Sequence, residues 1–281
     1  MEISQQLKTA AGASKYPFDK VISCNIGNPH ALGQSSISFV RDVLSMVVNP
    51  TLLNASLFPT DAIERAKKYL ASAQCVGAYS ESQGFLAVRE EVSDFLERRD
   101  GYKSDPNDIF LTNGASEGVR FCMQTILRDP SSGFRDGVLT PIPQYPLYSA
   151  LTTLLQGHLV PYHLDESTGW SCTTSQLTES LMKAESEGIC VRALVVINPG
   201  NPTGQILTEQ NMREIVQFCM DNHICLMADE VYQENVWREG SKFTSFRKVA
   251  MEMKAFDIEE PLQLVSFHSV SKVSCTSIAC T

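Results

Sequence analysis

Short apolar runs bounded by turn formers recur along the chain, at Ile109–Leu111, Gly137–Thr140, 158–162, Ala193–Ile197, Ile224–Met227 and Leu262–Phe267. Runs this short that are apolar nearly throughout suit strands covered on both faces. Between them apolar positions recur every three to four residues, which predicts helices over Glu117–Leu127, Tyr145–Leu155, 175–187 and 208–222. Three more helices are expected upstream, over 37–48, 60–72 and 84–98. The third carries Val88, Val92 and Phe95 on one face and acidic residues opposite. Strands alternating with amphipathic helices imply crossover connections, hence an α/β fold with a mostly parallel sheet and helices on both faces. Residues 1–35, mixed and rich in Gly, Ser, Asn and Pro, read as an arm. Residues 36–272 read as the body of the domain.

The composition narrows the function classes. The chain has 281 residues, 43% hydrophobic and 20% charged, which excludes a wholly disordered chain. Its formal charge is −9 with no run of Lys or Arg, so nucleic acid and anionic membrane surfaces are poor partners. No 18-residue apolar stretch and no apolar leader near Met1 are present, so a cytoplasmic location is expected, with an organelle address left open. Nine cysteines are scattered singly with no CxxC pair and read as reduced thiols, most of them small core residues. Five dispersed histidines without an HxxxH pair give no reason to expect a metal.

In parallel sheets chemistry gathers just past the strand ends. Thr112-Asn-Gly-Ala-Ser-Glu-Gly118 offers a glycine turn, Ser116 as a cap, and helix N–H groups suited to a phosphate, although such a turn is also ordinary structure. Asn198-Pro-Gly-Asn-Pro-Thr-Gly204 is a rigid turn that presents Asn201 or is simply structural. Asp229, ending an apolar strand, is costly to bury unless a cation faces it, and Tyr232 follows three residues on. Lys272, framed by serines after the last strand, is either a solvated lysine or an amine nucleophile.

Taken in order, the segments NGAS, PQYPLY, NPGNPTG, DEVYQ and SFHSVSK resemble the pyridoxal-phosphate aminotransferases of fold type I. The resemblance is strongest to the alanine aminotransferase branch, which includes related plant-type glutamate–glyoxylate enzymes. It runs from about Ile22 to Lys272 and also takes in NIGNPHALGQ, GAYSESQG and RRDGY. It implies that residues 36–272 are a pyridoxal-phosphate-binding large domain. It further implies that Lys272 holds the cofactor as an imine and moves a proton, and that Asp229 pairs with the pyridine nitrogen. Asn201 and Tyr232 would hydrogen-bond the cofactor's phenolic oxygen. Gly114, Ala115, Ser116 and Ser269 would cup the phosphate, and Tyr145 would stack on the ring. Tyr79 would reach the phosphate of a partner subunit, and Gly27 would lie beside the substrate carboxylate.

After Lys272 the pattern of the family, a glycine-containing segment with a phosphate-clamping arginine, gives way to Val273-Ser-Cys-Thr-Ser-Ile-Ala-Cys-Thr281. Residues 273–281 are thus expected to be a divergent tail and the small domain to be largely missing. The implied activity is transfer of an amino group between alanine or glutamate and a 2-oxo acid, in a homodimer. A non-catalytic cofactor- or partner-binding fragment is the other expectation. A Rossmann dehydrogenase is disfavoured because no G-x-G-x-x-G follows an early strand.

Overall fold

The computed structural model describes residues 2–9, 15–22, 30, 33–72 and 76–272. Helices α1 (Glu2–Gln6), α2 (Ser38–Val48), α3 (Thr60–Ser72) and α4 (Leu86–Asp100) precede the sheet. Strands β1 (Asp136–Ile142), β2 (His158–His163), β3 (Cys190–Ile197), β4 (Cys225–Asp229) and β5 (Leu264–Phe267) then alternate with helices. These are α5 (Ala115–Ile126) before β1, then α6 (Leu147–Leu154), α7 (Thr174–Ser186), α8 (Glu209–Asp221) and α9 (Phe246–Glu252) between successive strands. The sheet order is β2-β1-β3-β4-β5, and every neighbouring pair is parallel.

The two-residue period of each strand sends its side chains to opposite layers. Val138, Val195 and Met227 pack with Val119 and Met123 of α5 and Tyr148 and Leu151 of α6. Their neighbours Leu139, Val196 and Leu226 pack with Leu177 of α7, Met212 and Ile215 of α8, and Phe246 and Val249 of α9. With both faces covered, the central strands can carry unbroken apolar runs, as at Ala193–Ile197 and Cys225–Ala228. At the edge, β2 buries Val160 and Tyr162 but exposes Leu159, Pro161 and His163, and an edge is where a strand tolerates proline.

Local chemistry fixes where the helices start. Thr173 and Gln176 close a reciprocal capping box on α7, while Thr208 and Ser245 cap α8 and α9. A satellite cluster of Val43, Met46, Ala62 and Ala66 joins α2 to α3. Arg65 and Lys68 of α3 then bond Glu91 of α4 at 2.7 and 2.6 Å.

Three expectations are corrected, and one helix was not foreseen. Ile109–Leu111 forms no strand: Phe110 and Leu111 are 66% and 36% exposed, and the Leu111 N–H donates to the Gln83 carbonyl at 2.8 Å. Helix α9 was not foreseen, because seven residues hold too few turns to show a period. The deeply buried positions of α4 include Arg89, Ser93 and Asp100 rather than Val88, Val92 and Phe95, which are half-buried. Arg89 is accommodated by the Gly84 and Pro106 carbonyls and by Glu81, and the Ser93 hydroxyl by the Ser104 carbonyl. Finally, Ser116 is no cap. Gly114, at φ +82°, holds the N-cap position, and Ser116 lies within the first turn of α5. Among the described cysteines, Cys172, Cys219 and Cys225 are buried as expected, Cys122 is half-buried and Cys190 is exposed.

Candidate active site

The carboxyl ends of β1, β3, β4 and β5 and the start of α5 converge on one cleft of about 190 Å³. Its wall includes Gly114, Ala115, Ser116, Tyr145, Asn201, Asp229, Tyr232, Ser269 and Lys272, with Ser271 beside them. Val119, Leu147, Ile197 and Val231 supply an apolar lining. The strand order explains the convergence. The chain leaves β1 toward β2 on one side and returns to β3 on the other, and such a reversal opens a crevice at the strand ends.

Asp229 closes β4 and is 6% exposed. Its backbone carbonyl accepts from the Asn198 N–H at 2.9 Å, tying the Asn-Pro turn to the strand end. The Tyr148 hydroxyl donates to Oδ2 at 2.7 Å, and the Val231 N–H reaches Oδ1 at 3.4 Å. Burial pushes the Asp229 carboxyl above its ordinary range, and the Tyr148 hydroxyl, the Val231 amide and the Lys272 charge offset this in part. The carboxylate therefore sits where a further cationic group in the cleft would stabilise its charged form.

Asn201 and Tyr232 act as a pair. The Asn201 Nδ2 donates to the Tyr232 hydroxyl at 3.1 Å. Burial and then the Asp229 charge raise the Tyr232 phenol, and the Asn201 amide opposes them. Lys272 Nζ lies 5.7 Å from the centre of the Tyr232 ring, within cation–π range. The amine and the buried carboxylate thus line the same small space.

The far end of the cleft suits an anion. Helix α5 begins on a glycine with no side chain to cap it, so its first N–H groups and the positive end of its dipole face the opening. Ser269 and Ser271 stand across from it with their hydroxyls 2.7 Å apart. Tyr145 is 46% exposed, which leaves its ring open to a flat ligand.

Two expected residues are not gathered here. Tyr79 is fully exposed and lines no part of the cleft, and Gly27 lies outside the described residues. Tyr148 was overlooked because it reads as an ordinary helix residue; its only signal was the second tyrosine of PQYPLY, three residues after Tyr145. Among the described residues no helix is long and apolar enough to cross a membrane. Nor does any group of three His, Cys, Asp or Glu side chains there stand close enough to hold a metal ion.

Comparison with known proteins places this geometry. The family described as aminotransferase class I and II matches residues 41–273. Glutamate–glyoxylate aminotransferase 2 of Arabidopsis thaliana is 52% identical over 258 residues, covering 90% of this chain and 53% of that protein. Alanine aminotransferase 1, mitochondrial, of the same plant is 51% identical over 277 residues, covering 96% of this chain and 50% of that protein. Alanine aminotransferase 1 of Rattus norvegicus is 45% identical over 276 residues, 97% of this chain and 54% of that protein. The chain spans about half the length of the curated relatives it matches. A solved alanine aminotransferase from Pyrococcus furiosus superposes with a TM-score of 0.69 at 18% identity, over 96% of this chain and 55% of that one. An Escherichia coli aminotransferase gives 0.68 at 23%, over 97% and 55%. At these identities the two structures show a shared fold. Enzymes of the matched family use pyridoxal phosphate as cofactor. By the match over most of its length, this chain belongs to the class I and II aminotransferases.

Proposed function

We propose that the cleft holds pyridoxal phosphate with Lys272 as its covalent anchor. We further propose that the chain moves amino groups between alanine or glutamate and a 2-oxo acid such as 2-oxoglutarate or glyoxylate. One observation carries the reading: five segments far apart in sequence bring a helix-end anion cup, a buried carboxylate and an amine to a single cleft. The relatives' names supply the substrate classes.

When bound, the cofactor supplies an electron sink for the charge released at the amino acid's Cα. The chain's own groups do the rest. Asp229, whose burial the Lys272 charge offsets only in part, keeps a protonated ring nitrogen charged. The Asn201 amide and the Tyr232 hydroxyl donate to a phenolic oxygen anion. The glycine turn at Gly114, whose own N–H donates to the Thr112 carbonyl, leaves the N–H groups of Ala115 and Ser116, with the Ser269 hydroxyl, to hold the phosphate. Tyr145 covers the ring face, a contact worth about 1 kcal/mol beyond its burial. Lys272 Nζ carries the proton to and from the substrate's Cα. The place given to Gly27 beside the substrate carboxylate rests on the resemblance alone.

A homodimer is part of the proposal. Tyr79 is fully exposed and absent from its own cleft, as a residue serving a second copy would be. Sedimentation at high concentration is expected to show self-association, and a strictly monomeric profile refutes it. The cytoplasm is the compartment proposed, and recovery of the protein in a mitochondrial fraction overturns that.

The test of the activity is direct. Incubation with pyridoxal phosphate, borohydride reduction and peptide mapping are expected to place the cofactor mass on Lys272. A label on another lysine, or none on folded protein, overturns the assignment. Alanine with 2-oxoglutarate is expected to yield pyruvate, and no pyruvate from correctly labelled protein would instead favour a cofactor-binding chain without turnover.

A further inference from the structure

A polar chain outside the cleft runs from the end of α4 to the turn that carries Lys272. Arg99 grips Asp100 with two nitrogens, at 2.7 and 2.8 Å, and Asp100 also accepts from Ser245 and Arg247. Arg99 Nη1 donates to Gln233 Oε1 at 2.8 Å. Gln233 Nε2 stands 2.6 Å from Nδ1 and 3.0 Å from Nε2 of His268, whose ring stacks on Phe95 of α4 at 6.0 Å between centroids and 10° between planes.

The chemistry of these groups fixes the direction of every bond. A guanidinium has donors only, so the Gln233 carbonyl must face Arg99 and its NH2 must face the imidazole. The imidazole then has to present a lone pair, which a protonated ring lacks. Partial burial and then the Arg99 charge hold His268 down at about 4, in keeping with that demand. Gln233 is 3% exposed, whereas His268 is exposed, so the glutamine is the buried link.

The strand end leading into the lysine turn is fixed as well. The Phe267 carbonyl accepts from the Glu230 N–H at 3.0 Å. Beyond His268 the chain folds on itself, with the Lys272 N–H donating to the Ser269 carbonyl at 3.2 Å and the Ser271 N–H to the Ser269 hydroxyl at 3.3 Å. What holds His268 therefore sets where this short turn aims the amine.

We propose that Gln233 is a positioning residue for Lys272: with its carbonyl fixed by Arg99, its amide nitrogen grips His268 and fastens the lysine-bearing turn to helix α4. The inference rests on the reading of Lys272 as the cofactor-bearing amine.

The test uses the full chain and the variants Gln233→Leu, Gln233→Glu and His268→Phe. One readout is amide hydrogen exchange of the 266–272 peptide at short labelling times, without cofactor. The other is affinity for pyridoxal phosphate, from absorbance, with borohydride reduction locating the label. Gln233→Leu removes both bonds, so exchange of the turn is expected to speed up, and affinity to fall, by about tenfold. His268→Phe keeps the ring stack and loses the acceptor, and is expected to act in the same direction. Gln233→Glu accepts from Arg99 and from an imidazole N–H, and is expected to restore both readouts to within about threefold of the parent. Peptides of β3 and β4 are expected to exchange as in the parent throughout. Parent-like behaviour of Gln233→Leu overturns the proposal. Loosening of the whole sheet, or a Gln233→Glu protein as loose as Gln233→Leu, overturns it equally. If the parent takes up no cofactor at Lys272, the proposed function fails on its own, and the exchange pattern still upholds or overturns the fastening.

Discussion

Glu230 sits beside Asp229 in a place no ionised carboxyl favours. It is 1% exposed, and its Oε1 accepts from the Phe246 N–H at 2.7 Å. Burial pushes the carboxyl from an ordinary 4.5 up to about 7; the Arg99 charge and the Phe246 amide pull it back, while Asp100 and Asp229 add to the rise. Between those two values the folded chain binds more protons at this site than the unfolded chain does. The contribution to stability is therefore complete below 4.5 and is lost as pH rises through 7. At about 1.4 kcal/mol per tenfold change, the whole effect comes to about 3 kcal/mol. Glu230→Gln preserves an oxygen for the Phe246 N–H and never ionises. Urea unfolding of parent and variant from pH 5 to 8.5 isolates the effect, because Asp100, Asp229 and His268 titrate in both proteins. The variant's advantage is expected to grow by about 2–3 kcal/mol across that range. A flat difference, or one that shrinks with rising pH, refutes the reasoning.

Three further outcomes are expected. Tyr148→Phe deprives Asp229 of its 2.7 Å donor, so the affinity for pyridoxal phosphate is expected to fall about tenfold in an absorbance titration; unchanged affinity refutes the role of that hydroxyl. Asp229→Asn fills the same space without charge and is expected to slow the half-reaction with alanine by about 10²–10³ while affecting cofactor affinity far less; equal half-reaction rates remove Asp229 from its proposed role. Asp100→Ala leaves Arg99 and Arg247 facing each other without the carboxylate that joins them, at an expected cost of about 3–5 kcal/mol in urea unfolding. A loss below about 1 kcal/mol would show that solvent compensates the two arginines.

The sheet was legible because its central strands are apolar on both faces, and Ala193–Ile197 announces itself as a doubly covered strand. Most of the cleft was legible because Tyr145, Asn201, Asp229, Tyr232, Ser269 and Lys272 stand at or just past such strands, where a polar residue breaks the apolar pattern, whereas Gly114–Ser116 follow no strand. Ile109–Leu111 misled because it has strand composition but exposed side chains, and composition does not reveal whether a neighbour is present to pair. The interior of α4 was misread for the opposite reason. Arg89 and Asp100 look like surface residues until the carbonyls, serine and arginines that satisfy them are brought from other segments. The link from Arg99 through Gln233 to His268 joins positions 134 and 35 residues apart, and no local pattern encodes such pairings.

The strand order of the sheet also has a temporal meaning. Gly114 and Lys272 face each other across the cleft, yet 158 residues separate them in the order of synthesis. At about 5–20 residues per second a ribosome takes about 8–30 s to pass from one to the other. During that interval the helix-end part of the proposed anion cup exists without Ser269 and Lys272, which arrive together at the end. A polypeptide released before Ser269 would keep the start of α5 but lack both the hydroxyl and the amine proposed to hold the phosphate and its carrier.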